Sequence, residues 1–217
     1  MLLTFDRTNF PLIAVEEVGL EVHLLPVTKL QFEQFVAASG PLEEARYQKL
    51  LALNPAVSPA ELLTAEPERL FVTGILPKEA QAFAAWLGEG LGLPTVKEWR
   101  AIYNAFRRMS LPRHDLGVEL AGTPLGAFVA HQIRQMPGNL MLDLSLMRGG
   151  LVEWARRGQG WVGLGSPRPD FQPNLWDPLA DEVKPLRPDE RLPYFGFRLI
   201  RRGEWYLADR EKVRYIE

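Results

Sequence analysis

Residues 147–154 have the sequence MRGGLVEW, and they decide the fold. The end of this segment, Leu151–Trp154, is apolar enough to form a buried strand. We interpret Glu153 and Trp154 as residues that define the fold rather than as catalytic residues. Short strands joined by long loops are expected on either side of this segment, in the C-terminal half of the chain.

Helix-capping patterns precede this strand. Thr28 is followed three residues later by Gln31, and Thr95 by Glu98, which is the spacing of a capping box. Pro77 stands at the first position of an apolar, alanine-rich stretch, where proline favours the start of a helix. Helices are therefore predicted after each of these positions. In the helix after Thr95 the buried stripe is predicted to be Trp99, Ile102, Tyr103 and Phe106.

The remaining patterns give the predicted fold class. Short apolar runs predict strands at 12–15, 20–25, 71–75, 161–164 and 195–201. A helical insertion is predicted at about 41–70 and an irregular course beyond residue 110. Helices in the N-terminal half and strands in the C-terminal half predict an α+β fold. Residues 1–217 are predicted to form one domain, with a long surface loop region at about 155–195.

Composition argues against several classes of protein. Hydrophobic residues make up 47% and charged residues 24% of the 217 residues, which is typical of globular domains. The net charge of −2 gives no general attraction to nucleic acid, and no apolar run is long enough for a bilayer, so neither partner is predicted. The absence of Cys and of a signal-peptide pattern predicts a cytoplasmic location. Arginine far outnumbers lysine, which favours a thermophilic source.

Four segments, in order and with similar spacing, resemble the formylglycine-generating enzyme family, also called the sulfatase-modifying-factor domain. They are Pro26-Val27-Thr28, Leu93-Pro94-Thr95 with Glu98-Trp99, the segment 147–154, and Gly196-Phe197-Arg198. The resemblance covers about residues 12–202. It implies a C-type lectin-like fold of the formylglycine-generating-enzyme type, a fold shared with the variable proteins of diversity-generating retroelements.

Departures from the family bear on function. The family's enzyme oxidises a substrate cysteine with active-site cysteines that hold copper, and this chain has no Cys, so that activity is not expected. Many family members bind structural calcium partly through the segment that ends at the glutamate matching Glu153. Here Gly150 replaces the family's asparagine, and calcium requires about six or more oxygen ligands. Glu153 is thus a weak calcium candidate, and no cofactor is predicted.

The loop region at about 155–195 carries the candidate binding residues, because Trp, Tyr and Arg dominate binding hot spots. In lectin-like folds the corresponding segment forms the ligand face. No catalytic residue is predicted, and the candidate binding residues are Arg156, Trp161, Arg168, Asp170, Phe171, Trp176, Asp177, Arg187 and Tyr194. The alternative is that the aromatic residues of this group cover the core beneath the loop.

The leading hypothesis is a non-catalytic module that binds a protein or another macromolecule, such as a retroelement-diversified or conflict-system recognition protein. Two alternatives stay open. A cysteine-independent enzyme would need a deep pocket in which polar groups such as His131, Glu153 and Arg168 converge. A structural or assembly subunit of a phage or larger complex would bury the loop face in an oligomer.

Overall fold

The computed structural model describes residues 3–39, 44–54, 70–110, 116, 120, 126–135, 140–147, 151–165, 176–187 and 189–202. Three candidate binding residues, Arg168, Asp170 and Phe171, lie outside these ranges, as does most of the predicted insertion. In chain order the described elements are β1 (Leu3–Phe5), β2 (Pro11–Val15), a 3-10 turn (Glu16–Val18), β3 (Leu20–His23), α1 (Lys29–Ala38), α2 (Glu44–Leu53), α3 (Pro77–Leu87), β4 (Leu91–Gly92), α4 (Val96–Arg108), α5 (Gly126–Gln135), α6 (Met141–Leu144), β5 (Val152–Arg157), β6 (Gly160–Gly165), β7 (Phe195–Gly196) and β8 (Ile200–Arg202).

The predicted helix starts are confirmed. The Oγ1 atom of Thr28 accepts a hydrogen bond from the Gln31 N–H at 3.2 Å, and the Gln31 side chain accepts one from the Thr28 N–H at 3.1 Å. Thr95 and Glu98 form the same reciprocal pair at 3.2 and 2.7 Å. Pro77 opens α3, as predicted. Each cap satisfies N–H groups that the first turn of a helix leaves without a partner.

The larger sheet joins the two ends of the described chain. Its five antiparallel strands lie in the order β1-β2-β3-β8-β4. Residues 20–22 of β3 pair with residues 202–200 of β8, so the last described strand lies beside one of the first. The β4 strand then pairs with the other edge of β8.

The smaller sheet carries residues 152–154, the end of the segment that decides the fold. The β5 and β6 strands form an antiparallel hairpin whose register runs from Val152 opposite Gly165 to Arg157 opposite Gly160. The β7 strand pairs with β5 in parallel. We call residues 152–165 the hairpin. The predicted single strand at 195–201 is therefore wrong, because residues 195–196 pair with β5 whereas residues 200–202 pair with the larger sheet.

The α+β class is confirmed, but the predicted distribution of elements is wrong. The strands predicted at 12–15 and 20–25 are present as β2 and β3, but helices α5 and α6 lie beyond residue 110, where an irregular course was expected. The run at 71–75 forms only one bridge, between Phe71 and Thr28, although all of its residues except Gly74 are apolar or β-branched. Its backbone instead donates single hydrogen bonds to Val27 and Phe195.

Two groups of buried side chains form the core. One lies between the larger sheet and α4, where the predicted stripe of Trp99, Ile102, Tyr103 and Phe106 is buried. The other lies around α3 and the smaller sheet, and it contains Trp154. The two groups meet at the hairpin, which contributes residues to both. Among the described residues, no helix combines the length and the apolar character that a membrane span requires.

Candidate functional site

The residues that carry the family resemblance meet in the interior of the protein. Glu153 on β5 and Arg198, between β7 and β8, both have side chains with no exposed surface. The Nη2 atom of Arg198 donates to Glu153 Oε1 at 2.8 Å, and the Arg198 Nε atom lies 3.1 and 3.2 Å from the two carboxylate oxygens. The indole Nε1 of Trp99 donates to Glu153 Oε2 at 2.9 Å.

Every N–H group of the Arg198 guanidinium is used in this buried network. Nη1 donates to the carbonyl oxygens of His23 and Leu24 at 2.9 and 3.0 Å, and Nη2 donates to the carbonyl oxygen of Ser145 at 2.6 Å. Complete hydrogen bonding of this kind offsets the desolvation free energy of a buried charge. Arg198 thereby ties β3, the end of α6 and β5 together.

The network bears on two sequence-based hypotheses about Glu153. Arg198 donates hydrogen bonds to both carboxylate oxygens and Trp99 donates one to Oε2, and the Glu153 side chain has no exposed surface. Within the described ranges no group of three or more His, Cys, Asp or Glu side chains is arranged to hold a metal ion. The enzyme alternative requires His131, Glu153 and Arg168 to converge in a pocket. Arg168 lies outside the described residues, and the Glu153 side chain is buried in its ion pair with Arg198.

The outer end of the hairpin has the opposite character. Val152 to Ala155 are buried, whereas every residue from Arg156 to Gly160 is exposed. The Arg156 N–H donates to the Pro94 carbonyl oxygen at 2.8 Å, so this end of β5 is fixed beside the start of α4. Arg156 lies directly opposite Trp161 in the hairpin register. Directly opposed residues project from the same sheet face, with their Cβ atoms about 5 Å apart.

Residues 176–194, which we call the strap, run along the hairpin. Gly163 and Val183 exchange backbone hydrogen bonds at 2.7 and 2.9 Å, which fixes the middle of the strap. Its start is held by the Trp176 indole, which donates to the Gly165 carbonyl oxygen at 2.8 Å. Arg191 holds its end, through a pair of 2.8 Å hydrogen bonds to the buried carboxylate of Glu79. The described strap residues, 176–187 and 189–194, are therefore tied to the hairpin and to α3, and they contain no regular strand or helix.

The structure divides the described candidate binding residues into two groups. Arg156 and Trp161 lie side by side on the hairpin, and Arg187 is exposed at the tip of the strap. The others contribute to local structure. The Asp177 carboxylate accepts a hydrogen bond from the Leu179 N–H at 2.9 Å, and Tyr194 packs against Phe195. Trp176 is half-buried and holds the start of the strap. Trp161 and Tyr194 pack against the buried group around α3 and the smaller sheet.

A basic groove of about 710 Å³ lies between the start of α4 and the hairpin. We call it the basic groove, and its lining residues are Thr95, Val96, Lys97, Arg100, Ala101, Asn104, Arg156, Arg157 and Gly158. Two of its cations are partly neutralised, because Glu182 of the strap pairs with both Arg100 and Arg157. No described carboxylate pairs with Lys97 or Arg156, and both side chains are exposed.

A second groove of about 530 Å³ lies on the other side of the hairpin end. We call it the tryptophan groove, and it is lined by Pro77, Trp154, Arg157, Gly160, Trp161, Val162, Lys184, Pro185 and Leu186. Leu186 is 91% exposed, the highest value among the large apolar side chains described as exposed. Arg157 lines both grooves, so the two adjoin at this residue.

The groove residues that sequence reasoning did not name include Lys97, Arg100, Lys184 and Leu186. Lys97 and Arg100 belong to the polar face of α4, and a polar helix face is ordinarily only solvated surface. Their importance depends on the contact between Thr95 and Arg156, which brings sequence-distant segments together. Leu186 could have been identified from the sequence as a candidate binding residue, since it is a large apolar residue between a proline and an arginine in a charged loop.

A buried pair of titratable side chains, Asp6 and His23, lies in the larger sheet, apart from both grooves. His23 Nε2 is 3.2 Å from Asp6 Oδ2, and both side chains are fully buried. Burial lowers the pKa of His23 below its usual value, and Asp6 only partly opposes this effect. Burial alone would raise the pKa of Asp6, but hydrogen bonds and charge from His23, with hydrogen bonds from Thr8 and Phe10, lower it overall. The Phe10 ring lies against the imidazole at 4.9 Å, which leaves this pair closed to ligands.

Comparison with known proteins does not assign the chain to a family. No protein-family model matches it, and no curated protein matches it either. Function is therefore argued from the geometry of the hairpin, the strap and the two grooves.

Proposed function

We propose that the chain is a non-catalytic binding module on a C-type lectin-like fold of the formylglycine-generating-enzyme type. Its binding face is the outer end of the hairpin together with residues 183–187 of the strap. A protein segment is the proposed ligand. The family-like fold is supported by the four ordered sequence segments and by the meeting of three of them, at Trp99, Glu153 and Arg198, in one buried network.

The observation that carries the proposal is the contrast between the two ends of β5. At the inner end the polar signature residue Glu153 is fully buried and hydrogen-bonded. At the outer end Arg156 is exposed and Trp161 half-buried, and Leu186 stands almost fully in solvent beside them. Exposed large apolar side chains next to arginines are characteristic of protein-binding surfaces. The hairpin and the strap are both held by backbone hydrogen bonds, so this face is ordered before it binds.

A co-purification experiment tests this function. The wild-type protein and the double variant Trp161→Ala with Leu186→Ser would be immobilised separately, exposed to native lysate, and compared by quantitative mass spectrometry. We expect a protein retained by the wild type to be lost with the double variant, because both changes remove apolar contact area from the face.

A matched control is available on the opposite helices. Leu30 on α1 and Leu51 on α2 are 55% and 39% exposed, and neither lines a groove. The double variant Leu30→Ser with Leu51→Ser should retain the partner, and thermal melting checks that each double variant is folded, because Trp161 also packs against the core. A partner retained equally by all three proteins would rule out the hairpin and strap as the binding face.

A further inference from the structure

The charges of the basic groove are not balanced. Lys97, Arg100, Arg156 and Arg157 line it, and Glu182 is the carboxylate that pairs with its arginines among the described residues. Lys97 and Arg156 are exposed and lie on the two opposite walls, one on the first turn of α4 and the other on β5. The whole chain carries a net charge of −2, so this local excess of positive charge is a property of the groove. Such a groove favours an anionic ligand.

Glu182 indicates which kind of anion the groove accepts. Its side chain is only 11% exposed, and its Oε1 atom lies 3.2 Å from Arg100 Nη2 while also contacting Arg157. The protein thus already places one carboxylate between two guanidinium groups at the edge of this groove. Arginine binds carboxylates with directed, charge-assisted hydrogen bonds. Lys97 and Arg156 also line the groove, and within the described ranges no carboxylate pairs with either of them.

The tryptophan groove adds a requirement for an apolar group close to the anion. Arg156 and Trp161 are directly opposed in the hairpin, so their Cβ atoms are about 5 Å apart. In an extended peptide, side chains on one face recur about every 7 Å, at alternate residues. A peptide could therefore place a carboxylate near Arg156 and an apolar side chain near Trp161 and Leu186.

We propose that the ligand of this face is an acidic protein segment in which a carboxylate and an apolar side chain lie at alternate residues. The carboxylate enters the basic groove between Lys97 and Arg156, and the apolar side chain enters the tryptophan groove. This inference rests on the proposed function and specifies its ligand. A single-stranded nucleic acid would also combine anions with flat groups, but the carboxylate of Glu182 that already lies between two guanidinium groups favours a carboxylate ligand and hence a protein segment.

Synthetic peptides provide the probes. The first is an extended acidic peptide in which glutamates and leucines alternate on one face and serines occupy the other face. The second replaces the glutamates with glutamines, the third replaces the leucines with serines, and an oligothymidylate of equal charge tests nucleic acid. Binding to the full chain is measured by isothermal titration calorimetry at low salt and at about 0.15 M salt.

The wild type should bind the first peptide at least about tenfold more tightly than the second or the third. The double variant Lys97→Gln with Arg156→Gln should lose about tenfold in affinity for the first peptide and should be unchanged toward the glutamine peptide. Arg107→Gln with Arg134→Gln removes the same charge from exposed arginines outside both grooves, and it should bind as the wild type does. Thermal melting checks each variant, and Lys97→Gln alone serves if the double variant is unstable.

Several outcomes would overturn the inference. These are equal binding of the acidic and glutamine peptides, an equal loss in the Arg107 and Arg134 control, no binding tighter than about 1 mM, or tighter binding of the oligothymidylate. The acidic-segment inference can also fail while the proposed function holds. A lysate partner that depends on Trp161 and Leu186 but not on Lys97 and Arg156 would leave the proposed function intact. A partner whose retention depends on none of these four residues would contradict both the acidic-segment inference and the proposed function.

Discussion

Replacing Arg198 by methionine should destabilise the protein severely. Methionine fills much of the arginine volume but offers none of its N–H groups. The change leaves the fully buried carboxylate of Glu153 with the Trp99 indole as its hydrogen-bond donor, and it removes the donors that Arg198 supplies to three backbone carbonyl oxygens. Breaking a buried ion pair from one side costs about 3–5 kcal/mol, and each carbonyl adds about 1 kcal/mol.

We therefore expect a loss of at least about 4 kcal/mol from a fold whose total stability is on the order of 5–15 kcal/mol. Equilibrium urea unfolding, followed by tryptophan fluorescence and by circular dichroism, measures this loss. Arg198→Lys supplies a milder variant, because lysine keeps the charge but cannot reach all of the acceptors in their fixed arrangement.

The double variant Glu153→Leu with Arg198→Met completes the measurement. Removing both charges abolishes the unpaired carboxylate, so the double variant should be more stable than Arg198→Met by about 2 kcal/mol or more. Strictly additive losses, or a loss below about 1.5 kcal/mol for Arg198→Met, would refute the view that these residues act as one buried unit.

Three further predictions concern the pH response, a helix cap and the hairpin. Burial holds the pKa of His23 below its usual value, so the unfolded chain binds a proton at His23 at a pH where the folded chain does not. The free energy of unfolding should therefore fall with decreasing pH, by up to about 1.4 kcal/mol per pH unit below about pH 6.5. In urea unfolding, the variant His23→Gln should show a flatter pH dependence. Thr95→Ala should cost about 1 kcal/mol in thermal unfolding, since it removes the capping hydrogen bond to Glu98 N–H, and an unchanged melting temperature would contradict the role of that cap. Gly163→Ala should cost about 1–3 kcal/mol, because the added Cβ would overlap Val152 and the Phe195 ring, whereas Gly160→Ala meets only ordinary contacts and serves as its control.

The parts of the fold that follow local rules could be predicted from the sequence. The capping boxes at Thr28 and Thr95, the proline start of α3 and the buried stripe of α4 each depend on residues within one or two turns. The hairpin strands were also predicted, because apolar residues flank a glycine-rich turn. These signals need no knowledge of the partner segments.

The parts that depend on distant partners could not be predicted. Residues 195–201 are continuously apolar apart from Gly196 and two arginines, so nothing local shows that pairing changes from β5 to β3 within them. The α5 helix begins at a glycine in a stretch rich in proline and glycine, and composition there favoured a loop. The basic groove likewise exists only because the start of α4 lies beside β5, about 60 residues later in the chain.

The distinction between the two ends of β5 also shows what a family resemblance can support in this protein. Trp99, Glu153 and Arg198, which carry the sequence resemblance, use their polar atoms on one another and on backbone carbonyls, so these residues hold the fold together. The proposed ligand would instead meet Lys97, Arg156 and Leu186, none of which is a residue that carries the sequence resemblance. The fold and the ligand can therefore be tested separately: Arg198→Met should change stability, whereas Lys97→Gln with Arg156→Gln should change affinity and leave stability nearly unaltered.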